Sequence, residues 1–169
     1  MEIKTHLLKH FNSRPEGVAV DTVVVHCMNA KDYDLPYAIK NCIAVLDALK
    51  LSAHYVICRN GDVWQLVGEV ARAWHAGTSK LPFPDDAREN VNNFSIGIEL
   101  IGDDELAFSE LQYQSLAELI SEINSRQKIK YVIGHEHIAP MRKTDPGIYF
   151  SWEKLRDLCR KPDVKFGLL

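Results

Sequence analysis

One run of apolar, mostly β-branched residues constrains the fold of this chain more than any other feature. Residues 22–28 read Thr-Val-Val-Val-His-Cys-Met. Apolar side chains at consecutive positions leave no solvated face, so we predict a strand that is covered on both faces. Such a strand requires a β-sheet with further layers packed above and below it. His26, near the end of the run, is an unusual residue for so buried a place.

The rest of the chain alternates between helical and extended apolar patterns. The longest predicted helix begins at a capping box, Ser109 with Gln112. Two predicted strands are joined by Asn60-Gly61, a dipeptide typical of tight hairpin turns. The predicted elements are helices at 36–49, at 109–126 and after 151, and strands at 53–58, 62–67, 94–101 and 131–134.

Length and composition fit one compact core. At 169 residues, 46% of them hydrophobic, the chain needs no disulfide or metal to fold. We therefore predict an α/β fold with a single mixed β-sheet and helices packed on both faces. The whole chain, residues 1–169, is expected to be one domain, with its core at about residues 20–160 and a loose tail after residue 162.

Charge and cysteine content exclude several classes of partner. The formal net charge of −3 gives no basic surface for a nucleic acid or an anionic membrane. No apolar run has the length of a membrane span and the N-terminus lacks the apolar segment of a secretory signal, so a cytoplasmic location is expected. The 4 cysteines include no CxxC pair, which favours reduced thiols. No segment indicates an obligate protein partner.

Two histidines stand at the carboxyl ends of predicted strands, His26 in the first and His135 directly after residues 131–134. Side chains at such ends project into the crevice above an open sheet, where ligands commonly bind. A single histidine there most often makes structural hydrogen bonds, so a metal hypothesis depends on several ligands converging. With Asp145 as carboxylate, the set has the composition of a three-ligand zinc site with a position left for water, which suits amide hydrolysis.

Residues 134–147 read Gly-His-Glu-His-Ile-Ala-Pro-Met-Arg-Lys-Thr-Asp-Pro-Gly. This segment resembles the signature of the zinc-dependent N-acetylmuramoyl-L-alanine amidases, whose superfamily includes the peptidoglycan-recognition proteins. The resemblance extends in order over about residues 20–160, and it implies the fold of that superfamily. Further matching segments are Val-Val-His at 24–26, Ser-Ala-His-Tyr at 52–55, Ala-Trp-His-Ala-Gly at 73–77 and Asn-Phe-Ser-Ile-Gly-Ile-Glu at 93–99.

Carried onto this chain, the family pattern makes His26, His135 and Asp145 the ligands of a Zn²⁺ ion, with water in the remaining place. A zinc ion so held lowers the pKa of its water towards about 7. His137 competes with His135 for the second position. The Gly-His start of the motif selects His135, which leaves His137 either as a loop residue or as a residue that supports the ligands without binding the metal.

The resemblance also gives two residues a part in catalysis. Glu99, in the apolar frame of residues 96–101, is the general base that takes a proton from water and passes it to the leaving amine. The alternative is a glutamate turned to solvent at the end of a strand. Lys143 stabilises the oxyanion that forms at the amide carbonyl. Its alternative is a solvated loop lysine.

Three residues are predicted to contact the substrate, a muropeptide or peptidoglycan. Arg142 would hold a carboxylate or a sugar oxygen, and otherwise it is a surface charge. Trp74 and His75 would line the cleft, although a tryptophan at the start of a long loop is as often a core anchor.

Two positions indicate a branch of the superfamily. Asp145 stands where other branches have cysteine, and Ala53 where they have tyrosine, so the chain is most similar to the cytoplasmic amidases that recycle anhydro-muropeptides. A phage-type endolysin without a signal peptide, acting on intact peptidoglycan, and a muropeptide-binding protein without catalysis stay as alternatives. So does a thiol amidase that uses Cys27, but strand alternation turns Cys27 away from His26.

Overall fold

The computed structural model describes residues 1–103 and 105–168. The strands are Ile3–Thr5 (β1), Phe11–Ser13 (β2), Thr22–Met28 (β3), Tyr55–Ile57 (β4), Val63–Gln65 (β5), Ala71–Ala73 (β6), Ser95–Ile101 (β7), Tyr131–Gly134 (β8) and Lys165–Phe166 (β9). Seven of them form the main sheet in the order β1-β5-β4-β7-β3-β8-β9. A separate antiparallel ribbon joins β2 to β6.

The apolar strand β3 lies inside the main sheet, between β7 and β8 and parallel to both. The hairpin of β4 and β5 is antiparallel. It turns at Asn60 and Gly61, where Gly61 has a φ of +86°, so the structure confirms the turn that the dipeptide predicts. All other neighbours within the described main sheet are parallel. The sheet is therefore mixed, as expected.

Helices and one long segment cover the two faces of this sheet. The helices are Ile39–Ala48 (α1), Glu110–Arg126 (α2), His135–Ile138 (α3) and Trp152–Cys159 (α4). Helices α2 and α4 cover one face, where Leu119 and Leu155 share a buried cluster with Ile98 of β7. Helix α1 covers part of the opposite face, and residues 74–94 cover more of it. The predicted fold class is confirmed. Within the described ranges, none of the helices combines the length and the apolar character needed to cross a bilayer.

The carboxyl-terminal tail differs from the prediction. The prediction of a loose tail after residue 162 is wrong for the described residues. Lys165–Phe166 pair in parallel with β8, and the side chain of Phe166 is buried. This pairing depends on a strand from another part of the chain, which local patterns do not reveal. Helix α1 begins at Ile39 instead of Pro36. The carbonyl of Pro36 accepts the N–H of Ala30 at 2.8 Å, so Pro36 belongs to the preceding turn.

The amino-terminal cap of α2 makes a testable contribution to stability. Ser109 Oγ accepts the backbone N–H of Gln112 at 3.1 Å, and Gln112 Oε1 accepts the backbone N–H of Ser109 at 3.1 Å. We expect Ser109→Ala to lower the free energy of unfolding by about 1–2 kcal/mol, because the Oγ that accepts the Gln112 N–H is lost. Urea denaturation measures this change. Ser125→Ala, at an exposed position of the same helix, should change it by less than about 0.5 kcal/mol. Equal losses in both variants would contradict the capping argument.

Candidate functional site

Three neighbouring parallel strands end at one edge of the sheet and bring the candidate residues together. His26 on β3 and Glu99 on β7 are Cα partners, so their side chains lie side by side on one face. His135 follows the last residue of β8, on the other side of β3. Asp145 reaches the same edge from the loop after α3. The structure therefore has the convergence of remote segments on which the metal hypothesis depends.

The ligand atoms of these residues form a compact triangle. His26 Nδ1 lies 3.1 Å from His135 Nδ1 and 3.1 Å from Asp145 Oδ2, and His135 Nδ1 lies 3.2 Å from Asp145 Oδ2. The two histidines are only 2% and 3% exposed, whereas the Asp145 side chain is 21% exposed. The triangle is thus buried behind its imidazoles and reachable from the side of the carboxylate.

This arrangement fits a zinc ion. Two imidazole nitrogens and one carboxylate oxygen are donors that zinc prefers, and three protein ligands leave a fourth position. Atoms about 2.0–2.1 Å from a tetrahedral zinc lie about 3.3 Å from one another, which is close to the sides of the triangle. His135 Nε2 donates to the carbonyl of Ala76 at 3.1 Å. With Nε2 as the donor, the imidazole lone pair that a metal can bind is on Nδ1, which points into the triangle.

Burial keeps His26 in the neutral form that a metal ligand needs. Loss of solvation lowers the pKa of His26 to about 4, so the ring carries no charge at pH 7. Its second nitrogen, Nε2, lies 2.9 Å from Nδ1 of His75. Burial also holds the pKa of His75 well below its ordinary value.

A close contact at Gly134 positions Asp145. The backbone N–H of Glu136 donates to the Asp145 carbonyl at 2.8 Å. A Cβ atom at position 134 would lie 2.8 Å from Cδ of Pro146, so a larger residue would push the loop away from the strand. His137 is occupied elsewhere, since its Nδ1 accepts the backbone N–H of Gly134 at 3.0 Å. His137 lies on helix α3, so its predicted place in a loop is wrong, but this contact keeps its Nδ1 out of the triangle.

Glu99 is buried beside His26, and one of its two carboxyl oxygens lacks a hydrogen-bond partner among the described residues. The residue is 8% exposed, and its Oε2 makes no hydrogen bond to the part of the chain that the structure describes. Burial, and to a smaller extent the charge of Asp145, raises the pKa of Glu99 to about 8, against the opposing charge of Lys143. Because an unpaired buried carboxyl destabilises a fold, its presence indicates a function at this site.

A cavity of about 700 Å³ opens next to the triangle, with Asp145 and Lys143 in its lining. The backbone N–H of Lys143 donates to the carbonyl of Ala139 at 3.0 Å, which fixes the loop at that point. The positive charge of Lys143 acts on the pKa values of both Glu99 and His26. Its ammonium group is therefore close enough to influence charge that develops at the triangle.

The residues predicted to contact the substrate lie elsewhere. Among the described residues, Arg142, Trp74 and His75 are not part of the lining of this cavity. Arg142 Nη2 donates to the carbonyls of Ala76 and Thr78, at 2.9 and 2.7 Å. Trp74 donates its Nε1–H to a side-chain oxygen of the ribbon strand β2, at 3.1 Å. Substrate contact by Arg142 and Trp74 stays a prediction.

The expected place of His75 in the cleft wall needs correction. The residue is 8% exposed and lies behind His26. Gly97 on β7 is the reason: a Cβ atom there would lie 2.4 Å from Cγ of His75, so only glycine leaves room for the ring against the sheet. Ser95 Oγ lies 3.2 Å from Nε2 of His75. Ser95 and the carbonyl of Ala76 were not predicted from the sequence. Ser95 and Gly97 are small residues at alternate positions of an apolar strand, and this pattern could have indicated that another side chain packs against them.

The chain is similar to one group of known proteins in sequence and in fold. The family model described as N-acetylmuramoyl-L-alanine amidase matches residues 16–148. The 1,6-anhydro-N-acetylmuramyl-L-alanine amidase AmpD of Haemophilus influenzae is 38% identical over 161 residues, which cover 86% of this chain and 85% of that protein. A crystal structure of a selenomethionine derivative of AmpD has a TM-score of 0.80 at 34% identity, covering 93% of this chain and 94% of that one. AmiD from Escherichia coli, in complex with the substrate anhydro-N-acetylmuramic acid-L-Ala-D-gamma-Glu-L-Lys, has a TM-score of 0.68 at 30% identity, covering 86% of this chain and 60% of that one.

The raised pKa of Glu99 predicts how the stability of the metal-free protein changes with pH. In the folded state Glu99 keeps its proton up to about pH 8, because its pKa is raised to about 8 from an ordinary value of 4.5. This proton's contribution to stability is fully present below about pH 4.5 and is lost as the pH rises through about 8. Glu99→Gln has no such loss. We therefore expect the metal-free variant to exceed wild type in unfolding free energy by a few kcal/mol near pH 8, with the difference shrinking towards pH 5, because one pKa unit corresponds to about 1.4 kcal/mol.

Urea denaturation in the presence of a chelator, at several values between about pH 5 and pH 8, measures this difference. Glu16→Gln, at an exposed position, is the matched control and should follow the pH dependence of wild type. A difference between wild type and Glu99→Gln that stays constant over this range would show that the buried carboxyl does not titrate as described.

Proposed function

This chain belongs to the N-acetylmuramoyl-L-alanine amidase family, and we propose on that premise that it is a zinc-dependent hydrolase of peptidoglycan fragments in cell-wall recycling. The bond cleaved is the amide between the lactyl group of anhydro-N-acetylmuramic acid and L-alanine. The meeting of two imidazoles and a carboxylate in one buried triangle carries this proposal. The substrate is supported by the relatives, since AmpD is described as a 1,6-anhydro-N-acetylmuramyl-L-alanine amidase and AmiD is described in complex with an anhydro-muropeptide.

His26, His135 and Asp145 are the proposed metal ligands. A zinc ion held by them supplies Lewis acidity, which lowers the pKa of bound water and polarises an amide carbonyl. The chain orients its ligands through the nitrogens that face away from the triangle. His135 donates from Nε2 to the Ala76 carbonyl, so its ring is fixed and its lone pair points inward.

Glu99 carries the proton of the reaction. It takes a proton from the attacking water, whose oxygen then forms a bond to the carbonyl carbon. As the bond between this carbon and the L-alanine nitrogen breaks, Glu99 gives the same proton to that nitrogen. A pKa close to neutrality suits a group that must accept and return a proton at pH 7. The positive charge of Lys143 favours the carboxylate form at the start of this cycle.

Lys143 stabilises the negative charge that forms on the carbonyl oxygen. Lys143 lines the cavity together with Asp145, which is one of the proposed ligands. A fixed positive charge near the developing oxyanion lowers the energy of the transition state more than that of the ground state.

The cavity beside Asp145 is the proposed binding place of the muropeptide. Its volume of about 700 Å³ lies within the range of about 300–1,000 Å³ that is common for small-molecule sites. Lys143 contributes a positive charge to the lining, and Asp103 and Glu136 contribute carboxylates. A peptide stem with amino and carboxyl groups finds complementary charge on such walls.

Metal removal and one substitution test the catalytic proposal. We expect a strong chelator to abolish cleavage of an anhydro-muropeptide and added zinc to restore it. Chromatography of the released peptide measures the cleavage.

Glu99→Ala should retain zinc, as measured by metal analysis, but its kcat should fall at least about 100-fold, because the proton carrier is missing. Unchanged turnover in this variant would contradict a catalytic role of Glu99 and indicate a structural one. Activity that is lost to iodoacetamide and insensitive to the chelator would favour a thiol mechanism.

The recycling role predicts a preference for small substrates. We expect kcat/KM for soluble anhydro-muropeptides to exceed that for N-acetylmuramoyl peptides with an unmodified sugar, and release of dye from intact sacculi to be slow. Faster release from sacculi would contradict recycling and favour an endolysin. Tight binding of the muropeptide without cleavage by the zinc-loaded protein would favour a binding protein. The cytoplasmic location stays a prediction from the sequence.

A further inference from the structure

We propose that His75, supported by Ser95, is a positioning residue that fixes the proton of His26 on Nε2 and thereby selects Nδ1 as the nitrogen that binds the metal. This inference rests on the metal site of the proposed function and goes beyond its three ligands. It concerns the tautomer of His26, which determines whether a lone pair or an N–H points into the triangle.

The order of the protons follows from hydrogen bonds that start at a backbone carbonyl. Ser95 Oγ donates to the carbonyl of Val91 at 2.7 Å, so its single hydrogen is used there. The contact of 3.2 Å between Ser95 Oγ and His75 Nε2 therefore takes its hydrogen from His75. A neutral imidazole carries one N–H and one lone pair. His75 Nδ1 is thus an acceptor, and across 2.9 Å it accepts the Nε2–H of His26.

This chain of hydrogen bonds leaves the lone pair of His26 on Nδ1, the atom 3.1 Å from both other ligand atoms of the triangle. His135 reaches the same state more simply, because its Nε2 donates directly to the carbonyl of Ala76. A carbonyl only accepts, so it fixes the tautomer alone. An imidazole can donate or accept, so His75 fixes the tautomer of His26 only while Ser95 fixes that of His75.

The surroundings of His75 hold its ring in this orientation. Asn92 Oδ1 accepts the backbone N–H groups of His75 and Ala76, at 3.2 and 2.9 Å. On the other side the ring lies against Gly97, where any Cβ atom would overlap it. The rings of His26 and His75 meet edge to face, with centroids 5.0 Å apart and an interplanar angle of 81°. These contacts point Nδ1 of His75 at His26 and leave little freedom for the ring to turn.

Zinc affinity in matched variants tests the proposal. In His75→Asn the side-chain oxygen can replace Nδ1 as acceptor, whereas in His75→Leu the volume is filled without an acceptor. We expect His75→Leu to weaken zinc binding about 10–100-fold, as is common when the partner of a ligand histidine is removed, and His75→Asn to recover at least part of this loss. Competition with a chromophoric chelator measures the affinity. Equal affinity in wild type and His75→Leu, or a larger loss in His75→Asn than in His75→Leu, would overturn the proposal.

Two serines of the chain form a second matched pair. Ser95→Ala removes the acceptor that fixes His75, and we expect it to weaken zinc binding by more than about threefold, a smaller effect than the loss of His75 itself. Ser115 Oγ also donates to a backbone carbonyl, that of Gly61 at 2.7 Å, but it lies on helix α2. Ser115→Ala should leave zinc affinity unchanged. Equal zinc affinities of the two serine variants would contradict a role of Ser95 in the site.

Nitrogen NMR of the imidazole rings reads the tautomers directly, independently of activity. In the zinc-loaded wild type, His75 should carry its proton on Nε2, and His26 should show a protonated Nε2 and a metal-bound Nδ1. A proton on Nδ1 of His75 would overturn the proposal. Wild-type protein that binds no zinc would instead contradict the proposed function, so the two failures are distinguishable.

Discussion

Three electron-pair donors held within 3.2 Å of one another are the constraint on which the rest of this structure depends. Away from water such atoms repel one another unless a cation lies between them, so the surrounding chain must hold them in place. Strand β3 does this for His26, since it is fixed on both sides by parallel neighbours. The hydrogen bond to Ala76 does it for His135. Asp145 is the most exposed of the three, and the contact at Gly134 replaces the support of a strand.

Local sequence was sufficient for the features that depend on neighbours along the chain. The turn at Asn60 and Gly61 and the cap at Ser109 are set by residues a few positions apart, and both were predicted correctly. The apolar run of β3 required a sheet covered on both faces, which fixed the fold class. The ends of two predicted strands indicated His26 and His135 as neighbours in space. The resemblance then assigned these histidines and Asp145 as ligands, and the family is confirmed by the match over residues 16–148.

Features that depend on contacts between remote segments were not predictable in this way. Phe166 is buried because its segment meets β8, and nothing near it in the sequence indicates that strand. His75 was taken for a cleft residue because aromatic rings often line binding sites, but Gly97 gives it a buried place. The hydrogen bonds from the Arg142 guanidinium to the carbonyls of Ala76 and Thr78 were likewise not indicated by its neighbours in the sequence, and its contact with substrate stays a prediction. In each case the partner, and not the residue itself, determines the role.

The separation of the ligands along the chain has a consequence for biosynthesis. His26 and Asp145 lie 119 residues apart, so a nascent polypeptide has no complete set of the three proposed ligands until Asp145 has left the ribosome. One or two ligands hold zinc far more weakly than three, because the donors must then be ordered at the expense of chain entropy. A product truncated between His26 and Asp145 therefore lacks at least one of the three donors. A complete set of these three donors therefore requires both the synthesis of the chain through Asp145 and the assembly of the central strands.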